Sequence, residues 1–243
     1  MAPAETVSET RPEIILVGVV HGDPEGYAKA LSLLEYWQPR VVSVEISGFS
    51  WRYRRRHADL WQRQFQAGLA ALPAAQRRHL ALERLAAQIA LPFEVRAARA
   101  FGRRYGRPWQ AVDIAALARE HLPCFSRELL QPANLRQLLA TPDGDFQAAV
   151  RQEYARAWRL LSSQAPYWPL RPQELIAQTT MREKVLAGRV RRLARRWHRV
   201  VHLGGWEHLV CTGQDQTMAD FLAPLQPQRL VLSDRHAPIP GET

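Results

Sequence analysis

The sequence predicts an α/β fold: a mainly parallel central sheet with helices on both faces and large helical insertions. Five short runs rich in β-branched residues, separated by helical text, are the first observation behind it. A β-α-β unit of ordinary crossover length near the amino end is the second. The third is a tetrapeptide used twice, Gly18-Val-Val-His21 and Gly205-Trp-Glu-His208, each time where such a run ends. Both histidines are therefore expected at the carboxyl ends of buried strands, the edge where α/β sheets bind ligands.

The elements follow in order. After a polar tail of about ten residues, Ile14 to Val20 forms the first strand. Asp23 caps a helix whose first position is Pro24 and which runs to Trp37, where Pro39 stops it. Arg40-Val-Val-Ser-Val-Glu-Ile46 is the second strand, expected beside the first, so that Glu45 ends next to His21. Trp51 to Gly106 is helical text punctuated at Pro73 and Pro92. Gly106 to Ile114 reads as a turn and a short third strand ending at Asp113. Residues 115–197 are helical again, broken near Pro123, Pro132, Pro142-Asp-Gly144 and Pro166-Tyr-Trp-Pro169. Arg199 to Leu203 is the fourth strand, with a helix expected from the glycine pair through His208, and Arg229 to Ser233 is the fifth, followed by Asp234. The whole chain reads as one domain, 1–243, with sheet core in 11–50, 106–118 and 199–235 and helical insertions in 51–105 and 119–198.

Composition narrows the function classes. The chain has 243 residues, 47% hydrophobic content and a formal charge of +10. Lys29 and Lys184 are its only lysines, and every other basic residue is arginine. Abundant arginine, alanine and proline suit a GC-rich coding sequence, and no nucleic-acid-binding module is present, so charge alone does not argue for a nucleic-acid partner. The basic run from Arg189 to Arg199 places Val190, Leu193, Ala194 and Trp197 on one side, an amphipathic helix with a solvated face. Cys124 and Cys211 lack Cys-x-x-Cys spacing and are too few for a disulfide scaffold. No segment approaches the roughly 18 apolar residues of a membrane span, and the expected location is cytoplasmic. Trp51, Trp61 and Phe65 offer apolar surface either to internal packing or to a homodimer.

Read in order, the strand ends supply His21, Glu45, Asp113, the Glu207-His208 pair and Asp234, a set of imidazoles and carboxylates suited to water activation. Glu45 ends a strand buried on both faces, where its charge demands a cationic partner or an ion. Asp113 reads equally as a helix cap, and Asp234 as a cap or turn. Glu207 and His208 diverge by about 100° on a helix, which favours His208 as the inward group. Gly18, Gly204 and Gly205 serve equally for close ligand approach or tight packing, and a helix start after Gly205 would offer N–H groups to an oxyanion.

Four segments in order resemble the TraB/PrgY family, a relative of the Tiki proteases and, more distantly, of erythromycin esterases and ChaN haem-binding lipoproteins. They are Leu16-Val-Gly-Val-Val-His21, Pro39-Arg-Val-Val-Ser-Val-Glu45, Thr180-Met-Arg-Glu-Lys-Val-Leu-Ala187 and Val201-His-Leu-Gly-Gly-Trp-Glu-His208; Gly106 to Asp113 is a weaker fifth. The resemblance implies His21, Glu45, Arg182 and His208 as catalytic positions. It implies hydrolysis of a peptide or ester bond in a small-molecule or peptide substrate, and a divalent ion, manganese or cobalt with zinc also open, on His21, Glu45 and His208. Erythromycin esterases imply instead metal-free water activation by histidine and glutamate. The chain departs from the pattern at Glu183, where the family commonly has Asn, and at Leu186 in place of Met, and it lacks the family's membrane-spanning tail. In the expected mechanism Glu45 activates water, His21 and His208 hold the ion or shuttle protons, and Arg182 neutralises the substrate or Glu45. The alternative is a non-enzymatic module that uses the same pocket to bind a small ligand, an anionic one in the version the arginine excess suggests, or to engage another protein.

Overall fold

A computed structural model describes residues 12–162, 173–211 and 217–232; Pro166 to Pro169 and Asp234 lie outside these ranges. The five expected strands are β1 (Glu13–Val19), β2 (Val41–Val44), β3 (Trp109–Ala111), β4 (Arg199–Gly205) and β5 (Gln228–Val231), all parallel. Their order is β3-β2-β4-β1-β5.

That order corrects one expectation. β2 does not lie beside β1, because β4 fills the slot between them, pairing Val201 with both Ile15 and Val42. The reason is hydrophobic: Val200, Val201, His202 and Leu203 are fully buried, so this strand needs neighbours on both edges and cover on both faces. The chain leaves β1 toward β2 on one side and leaves β4 toward β5 on the other. The gap between the carboxyl ends of β1 and β4 is thus the point where the winding reverses.

Alternation along β1 shows how the two faces are covered. Ile14 and Leu16 join one core with Leu186, Val190 and Ala194 of α8 (Gln173–Trp197). Ile15, Val17 and Val19 join the other, with Leu33 and Leu34 of α1 (Gly26–Trp37) and Phe101 of α4 (Phe93–Tyr105). The basic run near the end of α8 behaves as its spacing predicts, with Val190 and Ala194 buried and Leu193 and Trp197 half-buried.

A third core lies inside the helical text. It joins α2 (Gly48–Ala70), α3 (Leu80–Ile89), α6 (Pro132–Leu138) and the π-turn Phe125–Leu129. Trp61 and Phe65 are only 1% and 3% exposed here, and Trp61 meets the Phe125 ring at 5.0 Å. Two of the three aromatics available to a dimer are therefore spent on internal packing; Trp51 sits half-buried, edge-on to Trp109. Two further helices, α5 (Ala116–His121) and α7 (Phe146–Ser162), complete the roof over the carboxyl edge of the sheet, and α9 (Met218–Leu222) packs on α8. No helix among the described residues is long and apolar enough to cross a membrane.

Gly18 shows how closely β1 meets the turn after β4. A Cβ there would fall 2.8 Å from Trp206 Cβ and 2.9 Å from its Cα, and backbone cannot yield cheaply. Gly18→Ala should lower the unfolding free energy by roughly 1–3 kcal/mol, the usual cost of overpacking. Chemical denaturation measures it; an unchanged midpoint would show that this junction is loose.

Candidate active site

β1 ends at Val19 and the chain turns at once through His21. β2 ends at Val44 with Glu45 immediately after it, and β4 runs through both glycines before a single 3-10 turn, Trp206–Leu209, carries His208. The helix expected from the glycine pair is this one 3-10 turn, with Gly205 as its N-cap, and not an α-helix. The missing Cβ atoms are used to bring side chains together across β4: one on Gly204 would stand 3.0 Å from Glu45 Oε2 and 2.6 Å from His202 Nε2, and one on Gly205 would stand 3.1 Å from His21 Nε2. Glu45 and His21 come from strands that do not touch, and they meet over a strand whose end is bare of side chains.

Glu45 is the centre of the arrangement, with 6% of its side chain exposed. Oε1 accepts from Arg182 Nη2 at 2.5 Å and from His208 Nε2 at 2.9 Å. Oε2 accepts from the Gly205 N–H at 2.7 Å and faces His21 Nε2 at 3.7 Å. That N–H, expected to serve an oxyanion, is therefore taken. Burial pushes the Glu45 carboxyl up, but His208, His21 and Arg182 outweigh it and hold it well below the usual carboxylate range.

Each histidine is gripped from behind by a buried carboxylate absent from the sequence-derived site. His21 Nδ1 donates to Glu94 Oε1 at 2.7 Å, and His208 Nδ1 donates to Glu183 Oε1 at 2.6 Å. Glu183 Oε2 is taken by the Met218 N–H, whereas Glu94 Oε2 has no partner among the described residues. Glu94 lies in the first turn of α4, where an acid after Pro92 reads as an ordinary helix-start residue. Only its 2% exposure marks it. Glu183 had a visible signal, since it stands where the resemblance expects Asn.

The twin motifs play different parts. His21 lines a cavity of about 860 Å³ under α3, α5 and α7, with 57% of its side chain open. His208 lies behind Glu45, is 11% exposed in its side chain and takes no part in the cavity wall. Burial disfavours the His208 cation, but Glu45 and Glu183 outweigh burial and lift it to about 10. For His21, burial is outweighed by Glu94 and then Glu45, lifting it to about 9; water in the cavity tempers this shift and leaves its upward direction. A third imidazole, His202, lies beneath the site. Its Nδ1 meets Ser43 Oγ at 3.0 Å, its Nε2 has no partner among the described residues, and burial drives it down to about 4, a neutral ring.

Arg182 is tied to Asp113 by a fork, Nε to Oδ1 at 2.8 Å and Nη2 to Oδ2 at 2.9 Å. Asp113 also accepts from the Ile114 N–H at 2.7 Å, but it does not cap a helix: α5 begins at Ala116, with Ala115 as its N-cap and no side-chain cap bond. Arg182 Nη1 has no partner among the described residues, and the guanidinium is on the cavity wall. The turn that brings His208 onto Glu45 leaves Glu207 half-buried beside it.

Two imidazoles and a carboxylate are chemically apt ligands for a divalent ion, and carboxylates on both Nδ1 atoms are the usual outer support. Their placement does not fit one. His208 Nε2 is spent on Glu45, Glu45 carries a guanidinium, and no group of three or more His, Cys, Asp or Glu is disposed to hold an ion among the described residues. No protein-family model, curated protein or solved structure matches the chain.

The His208 pair has a consequence for stability. Its folded pKa lies above the unfolded value of 6.5, so its contribution is whole below pH 6.5 and is lost as the pH rises toward 10. Unfolding free energy should decline over that window, and Glu183→Gln should lessen the decline. A decline unaltered by Glu183→Gln would remove His208 as its source.

Proposed function

We propose that the chain is a hydrolase that cleaves an ester or peptide bond in this cavity by metal-free water activation, with His21 as the general base. The observation that carries the reading is the pairing, on one cavity wall, of an imidazole held by a buried carboxylate with a guanidinium that has an uncommitted nitrogen. The resemblance to Tiki proteases and erythromycin esterases points to the same reaction class.

The roles follow from how each group is occupied. Glu45 accepts three hydrogen bonds and faces a fourth donor, so it is a poor proton acceptor and acts as an electrostatic anchor. A water on the cavity side of His21 Nε2 loses a proton to neutral His21 as its oxygen adds to the substrate carbonyl carbon. Glu94 holds the Nδ1–H and stabilises the imidazolium that forms. The carbonyl oxygen takes up the negative charge against Arg182 Nη1. The imidazolium then gives its proton to the departing alkoxide or amine, so water is consumed and an acid is released with an alcohol or amine.

A base with a raised pKa works best when the solution is alkaline enough to deprotonate it, so kcat/KM should climb from pH 7 to 9. With p-nitrophenyl esters and fluorogenic peptides as substrates, His21→Ala should cost about 10²–10⁴-fold, the usual contribution of a general base. Glu94→Gln should shift the pH profile to lower pH as well as lower the rate. Hydrolysis insensitive to both substitutions contradicts the mechanism; ligand binding without any turnover leaves the binding-module reading in its place.

A further inference from the structure

The helix that follows Glu45 presents a second polar row to the same cavity. Ser47, Ser50 and Arg54 are spaced to share one face of α2, and all three line the cavity. Ser47 is spent as a cap, its Oγ accepting from the Ser50 N–H at 3.0 Å. Ser50 is 8% exposed, and its own Oγ meets no partner among the described residues. Arg54 Nη1 donates to the carbonyls of Gln88 and Ala90 at 2.6 and 3.4 Å, and the guanidinium lies 5.7 Å from the Phe125 ring centre. Among the described residues its Nε and Nη2 have no partner, and no carboxylate lies within ion-pair distance of it.

Charge on the cavity wall makes Arg54 distinctive. Asp23 is paired with Lys29, Glu45 and Asp113 share Arg182, and Glu94 holds His21. Arg84 and Arg96 also line the cavity, but both are exposed, and Arg96 lies over the Tyr27 ring at 4.9 Å. Arg54 is left as a half-buried cation satisfied only by carbonyl oxygens and a ring, and burial lowers its affinity for the proton while the charge of Glu94 partly restores it. A guanidinium with two adjacent N–H groups free is matched by a carboxylate, which it can hold in bidentate fashion with the Ser50 hydroxyl beside it. The amino end of α2 favours the same sign of charge. The same cavity wall has an apolar part, with Ile46, Ala87, Leu91, Phe93, Ile114 and Phe146.

We propose that Arg54 and Ser50 form a carboxylate-binding subsite, so that the cavity takes amphipathic carboxylates: an apolar body with a free carboxylate at Arg54. This deepens the hydrolase reading by naming its substrate class, an ester or amide carrying such a carboxylate. The subsite itself requires no turnover, so binding tests it separately from hydrolysis.

The experiment is calorimetric titration with 4-phenylbutyrate and its neutral amide, 4-phenylbutanamide, which differ in charge at nearly equal shape. Wild-type protein should favour the carboxylate by about tenfold or more, as expected of a charge-assisted hydrogen bond. R54Q, which keeps a donor for the α3 carbonyls, should erase the preference, and S50A should reduce it about threefold. Equal affinity for the two probes, binding of neither, or a preference that survives in R54Q overturns the proposal. Should R54Q not fold, S50A decides, because it touches no α3 carbonyl: an unchanged preference there overturns the proposal too. If carboxylate selectivity is found and no ester or peptide is cleaved, the hydrolase reading alone fails.

Discussion

One buried negative charge organises this protein. Glu45 sits at the end of a strand covered on both faces, where an unpaired carboxylate is too costly to keep ionised. Its neighbours answer that cost one by one: a guanidinium from α8, an imidazole from the turn after β4, and a main-chain N–H from β4 itself. Each partner then needs support of its own, and Asp113 and Glu183 supply it. Removing one partner from such a buried set typically costs about 3–5 kcal/mol, because the charge left behind is uncompensated. The set therefore ties β2, β3, β4 and α8 together as firmly as it prepares a site.

The same constraint explains why two copies of one tetrapeptide do different work. His21 leaves an outer neighbour of β4 and opens on the cavity, while His208 leaves β4 and turns back beneath the carboxylate. One imidazole is largely exposed; the other has both nitrogens committed to carboxylates. His21 stands at the carboxyl end of β1, under a roof of helices, on the wall of a largely apolar cavity and with a carboxylate at its back.

Much of this was legible in the sequence, because strand ends announce themselves. Runs rich in β-branched residues mark Ile14 to Val19 and Val41 to Val44, and the residues just beyond them include His21 and Glu45. The demand for a cation on Glu45 follows from burial alone, and Arg182 meets it. Strand order was not legible, since a β-α-β crossover says that two strands are parallel and not that they touch. Glu94 was hidden for another reason: an acid in a first helical turn has an adequate local explanation, and only long-range packing against His21 gives it a second role. The helix expected from Gly204 and Gly205 shrinks to a single 3-10 turn after them, because those residues complete the β1–β4 ladder, opposite Gly18 and Val19. Trp61 and Phe65 could have faced a partner or a core, and periodicity does not distinguish the two.

The central claim is that Glu45 is satisfied by protons and guanidinium rather than by an ion. Elemental analysis of protein purified without chelator or affinity-tag metal tests it most directly, alongside His21→Ala and His208→Ala. The account predicts far less than one divalent ion per chain in all three proteins. A near-stoichiometric ion in the wild type that disappears in both variants would contradict it, and would make His208 Nε2 a ligand rather than a counter-charge.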